Sequence, residues 1–210
     1  MGHLSSLFCW IFAANLNDDM PATSRVCDEI ISVISDSLQG ENHTCIIIHG
    51  EIGVGKTRLA EQLAAALIGR GIKTGGVLSP RILDGNETIG YTIHDLSTGE
   101  EEPFVRLTPP GIPIGKFYLL EDGLAFARAA IERATRATQV VFVDEVGRLE
   151  CDGKGHALVV RKLLRSQALP VLLVRSAFVE RVVETFGIAR YELLPVESGL
   201  PDCSLEEGRP

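Results

Sequence analysis

Residues 45–57 read Cys45-Ile46-Ile47-Ile48-His49-Gly50-Glu51-Ile52-Gly53-Val54-Gly55-Lys56-Thr57, and the reading of this stretch decides the fold. An apolar run is followed by Gly50, four further residues, and then Gly55-Lys56-Thr57, the spacing of a phosphate-binding P-loop. The next residues, Arg58 to Leu67, look helical, so the motif stands in the strand–loop–helix order it needs. Glycines at 50, 53 and 55 let backbone N–H groups turn inward around a polyphosphate. A helix opening near Gly55 adds its positive dipole end. The pattern gives Lys56 reach to the β- and γ-phosphates and puts the Thr57 hydroxyl in a Mg²⁺ shell. Together with Glu51, Ile52, Val54 and Arg58, these residues form the expected nucleotide-binding segment.

Working outward, apolar residues from Val26 to Leu38 recur at helical spacing. They predict a leading helix over 22–39, capped by Thr23 or Ser24 and ended by Gly40. Downstream, Lys73–Leu78 reads as a second strand. From Asp84-Gly85-Asn86 the chain takes on the character of a β-meander, with Thr88–Ile93 alternating, a turn at Ser97–Glu100 and Phe104–Leu107 pairing back. Three prolines and two glycines between Thr108 and Gly115 predict a loop. A helix opens at Glu121, and Gln139–Val143 is a continuous apolar run of the kind a buried parallel strand shows. His156–Ser166 (helix), Pro170–Val174 (strand) and Val179–Phe186 (helix) complete the alternation. This order predicts an α/β fold, one doubly wound domain with a mostly parallel sheet over residues 22–194. Residues 195–210 read as a polar tail and residues 1–21 as an apolar leader ahead of the domain. Leu7–Ala14 is too short to span a bilayer, and no Lys or Arg precedes it as a secretory signal requires.

The chain of 210 residues carries a net charge of −8 and no run of Lys or Arg, so no nucleic-acid partner is expected. No membrane partner is expected either. The five cysteines include no Cys-x-x-Cys pair, which argues against a zinc site and a disulfide scaffold and suits a cytoplasmic location.

The buried run at 139–143 ends in Asp144-Glu145, the Walker B arrangement, in which the acid emerges at the carboxyl edge of the sheet beside the P-loop. Asp144 is expected to hold Mg²⁺ through a water. Glu145 is placed to polarise a water in line with the γ-phosphate, which favours hydrolysis over transfer to an organic acceptor. The text continues Val146-Gly147-Arg148-Leu149-Glu150. This segment resembles the Asp-Glu-Ile/Val-Gly-x-Met/Leu-Glu signature of the small P-loop nucleoside-triphosphatase family first described from thermophiles. The human cancer-related nucleoside-triphosphatase belongs to the same family. Gly75-Gly76-Val77 with Arg81, Gly90–Ile93, Leu169–Leu173 and Phe178–Val182 resemble further family segments, so the likeness covers roughly residues 44–190.

The resemblance implies a P-loop NTPase fold with an added strand between the P-loop and Walker B strands. It also implies slow Mg²⁺-dependent hydrolysis of ATP, GTP and other nucleoside triphosphates with loose base selection. Carried over, Gly50, Gly53, Gly55, Lys56 and Thr57 bind phosphate and metal, Asp144 assists the metal, and Glu145 is the base. Glu150 matches the family's second acid, either within reach of the site or bracing the loop. Where many members have a second Thr, this chain has Arg58. Where a His often follows the closing strand, it has Arg175-Ser176. Arg148 and Arg175 are therefore the candidate sources of transition-state charge, and a solvated surface arginine is the plain alternative for each. No Asn-Lys-x-Asp guanine reader is present, and Leu96–Glu100 is only a faint look-alike of an ABC signature. Two other readings stay open. One is a small-molecule kinase, for which Arg81 and Arg106 are thin support. The other is a nucleotide-gated binding module with an unidentified protein partner.

Overall fold

In the computed structural model, which describes residues 22–40 and 44–197, alternating strands and helices are interrupted by a run of six consecutive strands. The order is α1 (Ala22–Gln39), β1 (Cys45–Gly50), α2 (Lys56–Gly69), β2 (Thr74–Leu78), β3 (Arg81–Asp84), β4 (Glu87–Asp95), β5 (Glu101–Arg106), β6 (Ile112–Ile114), β7 (Phe117–Leu119), α3 (Glu121–Ala137), β8 (Val140–Val146), α4 (Arg148–Cys151), α5 (Ala157–Leu163), β9 (Leu169–Arg175), α6 (Val179–Phe186) and β10 (Tyr191–Pro195). All strands join one sheet in the order β10-β1-β9-β8-β2-β4-β5-β7-β6, with β3 paired to β4 off this path. From β10 to β2 the strands are parallel. At β4 the sheet turns antiparallel and runs on as a meander. β9 lies between the P-loop strand β1 and the Walker B strand β8, the position the added strand was expected to take.

The apolar runs of the central strands follow from this topology, because a parallel strand covered on both faces must be apolar on both. In β1, Cys45 and Ile47 face one core while Ile46 and Ile48 face the other. In β8, Val141 and Val143 face the first core and Val140 and Phe142 the second. Helices α1 and α2 cover one face, and α3, α5 and α6 the other. Helix α2 buries Leu59, Ala60, Leu63, Ala64 and Leu67, a stripe at helical spacing. Each buried leucine contributes about 2 kcal/mol, so Leu63→Asp in this stripe would break the packing of the helix that carries Lys56 and Thr57.

The structure differs from the sequence reading in several places, and β7, α4 and β10 are elements that reading did not contain. The Pro-rich segment is not all loop, because Ile112–Ile114 forms β6 and pairs antiparallel with β7. A strand at Arg81–Asp84 was not expected; all four of its residues are exposed, so it carries no alternation to read. The domain also does not stop at residue 194. Pro195 ends β10, and Val196, 4% exposed, donates its N–H to the His49 carbonyl at 2.7 Å. The apolar leader, the side-chain caps at Thr23 and Ser24, and the polar tail from residue 198 lie outside the described residues. Cys45 and Cys151 are free thiols, whereas Cys27 is disulfide-bonded, a bond the cysteine spacing did not predict. Among the described residues no helix is long and apolar enough to cross a membrane.

Candidate active site

The P-loop connects the carboxyl end of β1 to the amino end of α2. Gly53 and Gly55 take left-handed conformations, with φ of 84° and 99°, which a side chain would strain. Gly50 is required for another reason. A β-carbon there would come within 2.6 Å of the Val196 carbonyl oxygen, so the chain beyond β10 closes against the start of the loop. Lys56 folds back over the loop, its Nζ donating to the Gly50 carbonyl at 3.0 Å and the Glu51 carbonyl at 2.8 Å. Partial burial lowers the Lys56 pKa, opposed by the nearby charges of Glu145 and Asp144.

Across the loop, Asp144 stands on β8 and is 2% exposed. Its Oδ2 accepts from the Thr57 hydroxyl at 2.8 Å and the Ser79 N–H at 3.0 Å, and its Oδ1 accepts from the Glu145 N–H at 2.7 Å. Burial, then the charge of Glu145, pushes the Asp144 pKa up to about 7. The Ser79 hydroxyl is buried and, among the described residues, has no hydrogen-bond partner. Thr57, Asp144 and Ser79 therefore offer oxygen atoms only, and among the described residues no cluster of three or more His, Cys, Asp or Glu could cage an ion. That donor set fits Mg²⁺, which keeps waters and substrate phosphates as its main ligands.

Glu145 has φ +55°, the sole non-glycine positive φ among the described residues. It lies where the register of β8 against β9 shifts, between Val143 and Val146. This bulge turns the carboxylate into the cleft, where Oε2 accepts from Arg175 Nη2 at 3.1 Å. Both side chains are more than a third exposed, so the pair contributes less than about 1 kcal/mol and is free to part. The cleft itself is about 610 Å³ and open, and Lys56, Thr57, Arg81, Tyr91, Glu145 and Arg175 are among the residues that line it.

The structure brings together most of the residues named from sequence. Ile52, Gly53, Val54, Gly55, Lys56, Thr57, Arg58, Glu145 and Arg175 line the cleft, Asp144 lies beneath it, and Gly50 and Glu51 supply carbonyls to Lys56. Arg148 and Glu150 stand elsewhere. Arg148 opens α4, exposed and outside the cleft lining. Glu150 is 3% exposed and its two oxygens accept from the N–H groups of Gly147 at 2.9 Å and His156 at 3.1 Å. It braces the turn after the Walker B strand, and burial raises its pKa. Three residues not assigned to the hydrolytic site from sequence belong to its surroundings: Ser79, Arg81 and Tyr91. The available signal was positional, since Ser79-Pro80-Arg81 follows a parallel strand at the carboxyl edge where such sheets bind ligands.

A family model described as NTPase matches residues 45–196. The nucleoside-triphosphatase THEP1 of Methanopyrus kandleri is 31% identical over 131 residues, which cover 62% of this chain and 73% of that protein. The corresponding protein of Thermococcus kodakarensis is 32% identical over 141 residues, covering 65% of this chain and 78% of its own. The solution structure of a human cancer-related nucleoside triphosphatase superposes with a TM-score of 0.58 at 21% identity, covering 74% of this chain and 90% of that one. The crystal structure of THEP1 from Aquifex aeolicus gives 0.57 at 21% identity, covering 73% and 90%. At that identity the two structures establish a shared fold and no more.

Proposed function

This chain belongs to the NTPase family, and we propose that it hydrolyses nucleoside 5′-triphosphates, ATP, GTP and others alike, to the diphosphate and phosphate in the presence of Mg²⁺. The observation that carries this reading is the pairing of Thr57 with Asp144 at 2.8 Å, with Glu145 as the next residue facing the same cleft. It joins a phosphate cradle to a carboxylate at one cleft. The loop N–H groups at Gly53–Gly55 and the α2 amino end bind the β- and γ-phosphates. Lys56 leaves the Gly50 and Glu51 carbonyls for the phosphate oxygens. Thr57 and Asp144 would hold Mg²⁺, which when bound neutralises phosphate charge.

Glu145 takes the proton of a water whose oxygen bonds to the γ-phosphorus. The bond from that phosphorus to the β–γ bridging oxygen breaks, and the electron pair leaves with the diphosphate. Arg175 orients Glu145 until nucleotide enters. Contacts of this kind address phosphate and not the base, which supports loose base selection. The reading calls for a compartment rich in Mg²⁺ and nucleoside triphosphates, as the cytoplasm is.

The test is phosphate release from ATP, GTP, CTP and UTP with Mg²⁺, alongside Lys56→Ala and Glu145→Gln. Each variant is expected to lower kcat by about 100-fold or more. A Glu145→Gln protein that binds nucleotide and turns over at the wild-type rate removes Glu145 as the base. Phosphate transfer that needs an added acceptor would identify a kinase instead.

A further inference from the structure

Lys56, Arg58 and Arg175, the cations that the sequence reading brought to the cleft, are already engaged within the protein, Lys56 by the Gly50 and Glu51 carbonyls and Arg175 by the Glu145 carboxylate. Arg81 lines the same cleft and, among the described residues, has neither an ion pair nor a side-chain hydrogen bond. Its guanidinium stands over the P-loop turn, where a β-carbon built on Gly53 would lie 3.6 Å from Nη1 and 3.8 Å from Nη2. In a chain of net charge −8, a solvent-facing guanidinium held above a phosphate cradle is a site waiting for an anion.

The backbone that carries Arg81 is fixed on both sides. Two residues before it, the Ser79 N–H donates to Asp144 Oδ2 at 3.0 Å. The Pro80 carbonyl accepts from the Thr92 N–H at 3.1 Å, and Arg81 itself pairs with Tyr91 across β3 and β4. The guanidinium is thus tied through its own main chain to the carboxylate expected to serve the metal. Such anchoring is what preorganised charge stabilisation requires.

We propose that Arg81 is a catalytic residue, an arginine supplied from within the chain by β3 that contacts the γ-phosphoryl oxygens and stabilises their charge as the bond to the bridging oxygen breaks. The proposal rests on the hydrolase reading above. A planar fork of N–H donors matches two phosphoryl oxygens at once, which a lysine ammonium cannot do. Arg81 therefore fills the role for which sequence had offered Arg148 and Arg175.

The experiment uses the full chain with Arg81→Ala, Arg81→Gln and Arg81→Lys, and Lys56→Ala as control. It measures kcat for Mg-ATP, affinity for a fluorescent ADP, and the tightening of ADP binding on adding aluminium fluoride, a mimic of the transferring phosphoryl group. The expected result is a loss in kcat of about 10³-fold in the Ala and Gln variants, with ADP affinity within about threefold of wild type. The aluminium fluoride effect should disappear in both, and Lys should restore little of either readout. Wild-type kcat or undiminished aluminium fluoride tightening in Arg81→Ala overturns the proposal. So does a kcat loss matched by an equal loss of ADP affinity, which would mark Arg81 as a support of the loop. A wild-type protein that binds ADP yet releases no more phosphate than Lys56→Ala overturns the hydrolase reading, and this proposal with it.

Discussion

Glu145 occupies a conformation that costs an L-residue about 1–2 kcal/mol, and strain of this size persists where the surrounding structure imposes it. Here it is imposed by the bulge between Val143 and Val146, with Asp144 Oδ1 accepting the Glu145 N–H at 2.7 Å. The bulge lets two adjacent acids face one cleft from a strand whose neighbouring residues would otherwise point to opposite faces. Strain and function should therefore separate under mutation. Glu145→Gly and Glu145→Ala both remove the carboxylate, but only glycine accepts φ +55° without strain. Denaturant unfolding is expected to find the glycine variant more stable than the alanine variant by about 1 kcal/mol, with both inactive. An alanine variant equal to or more stable than the glycine one would show that the bulge relaxes.

Between elements, β2 lies close against β8, the strand that carries Asp144. A β-carbon at Gly76, whose φ is +101°, would sit 2.0 Å from the Phe142 carbonyl oxygen. Gly76→Ala is expected to cost about 3 kcal/mol or more and to lower nucleotide affinity along with the melting temperature. A variant that melts like the wild type would show that β2 slides freely against β8. Elements buried on both faces were the legible ones, because β1, β8 and β9 announce themselves as apolar runs and α2 by its stripe. The P-loop and the Walker B acids were legible for the same reason, being attached to such strands. β3, β6 and β10 were not, since their residues are mostly exposed or half-exposed and leave no alternation to read. The place of Arg81 above Gly53 was also hidden. It depends on how β3 folds back over the cleft, a relation between segments that local periodicity does not encode.

For the molecule as a whole, two buried groups set opposing pH responses in Mg²⁺-free buffer. His156 stacks on Phe104 with ring centroids 5.7 Å apart, and burial, then the charge of Arg128, lowers its pKa from 6.5 to about 4. Between those values the unfolded chain binds the extra proton, so its contribution to stability is complete above about 6.5 and is lost as pH falls towards 4. Asp144, raised from 3.8 to about 7 chiefly by burial, runs the other way. There the folded chain binds the extra proton, so the contribution is complete below 3.8 and is lost as pH rises to about 7. Relative to wild type, His156→Gln is expected to lose stability as pH rises from 4 to 6.5, and Asp144→Asn to gain it from 4 to 7, each by an amount on the order of 3 kcal/mol. Chemical unfolding across that pH range reads both slopes, and parallel curves for all three proteins would contradict the assignment. The sheet order carries a kinetic consequence of its own. β1 is made early, yet its two neighbours, β9 and β10, are separated from it by more than roughly 100 residues, the long-range pairing that slows folding. On the ribosome, the P-loop strand must wait until Tyr191–Pro195 has emerged before both its edges are paired, so a nascent chain should gain nucleotide affinity late and abruptly.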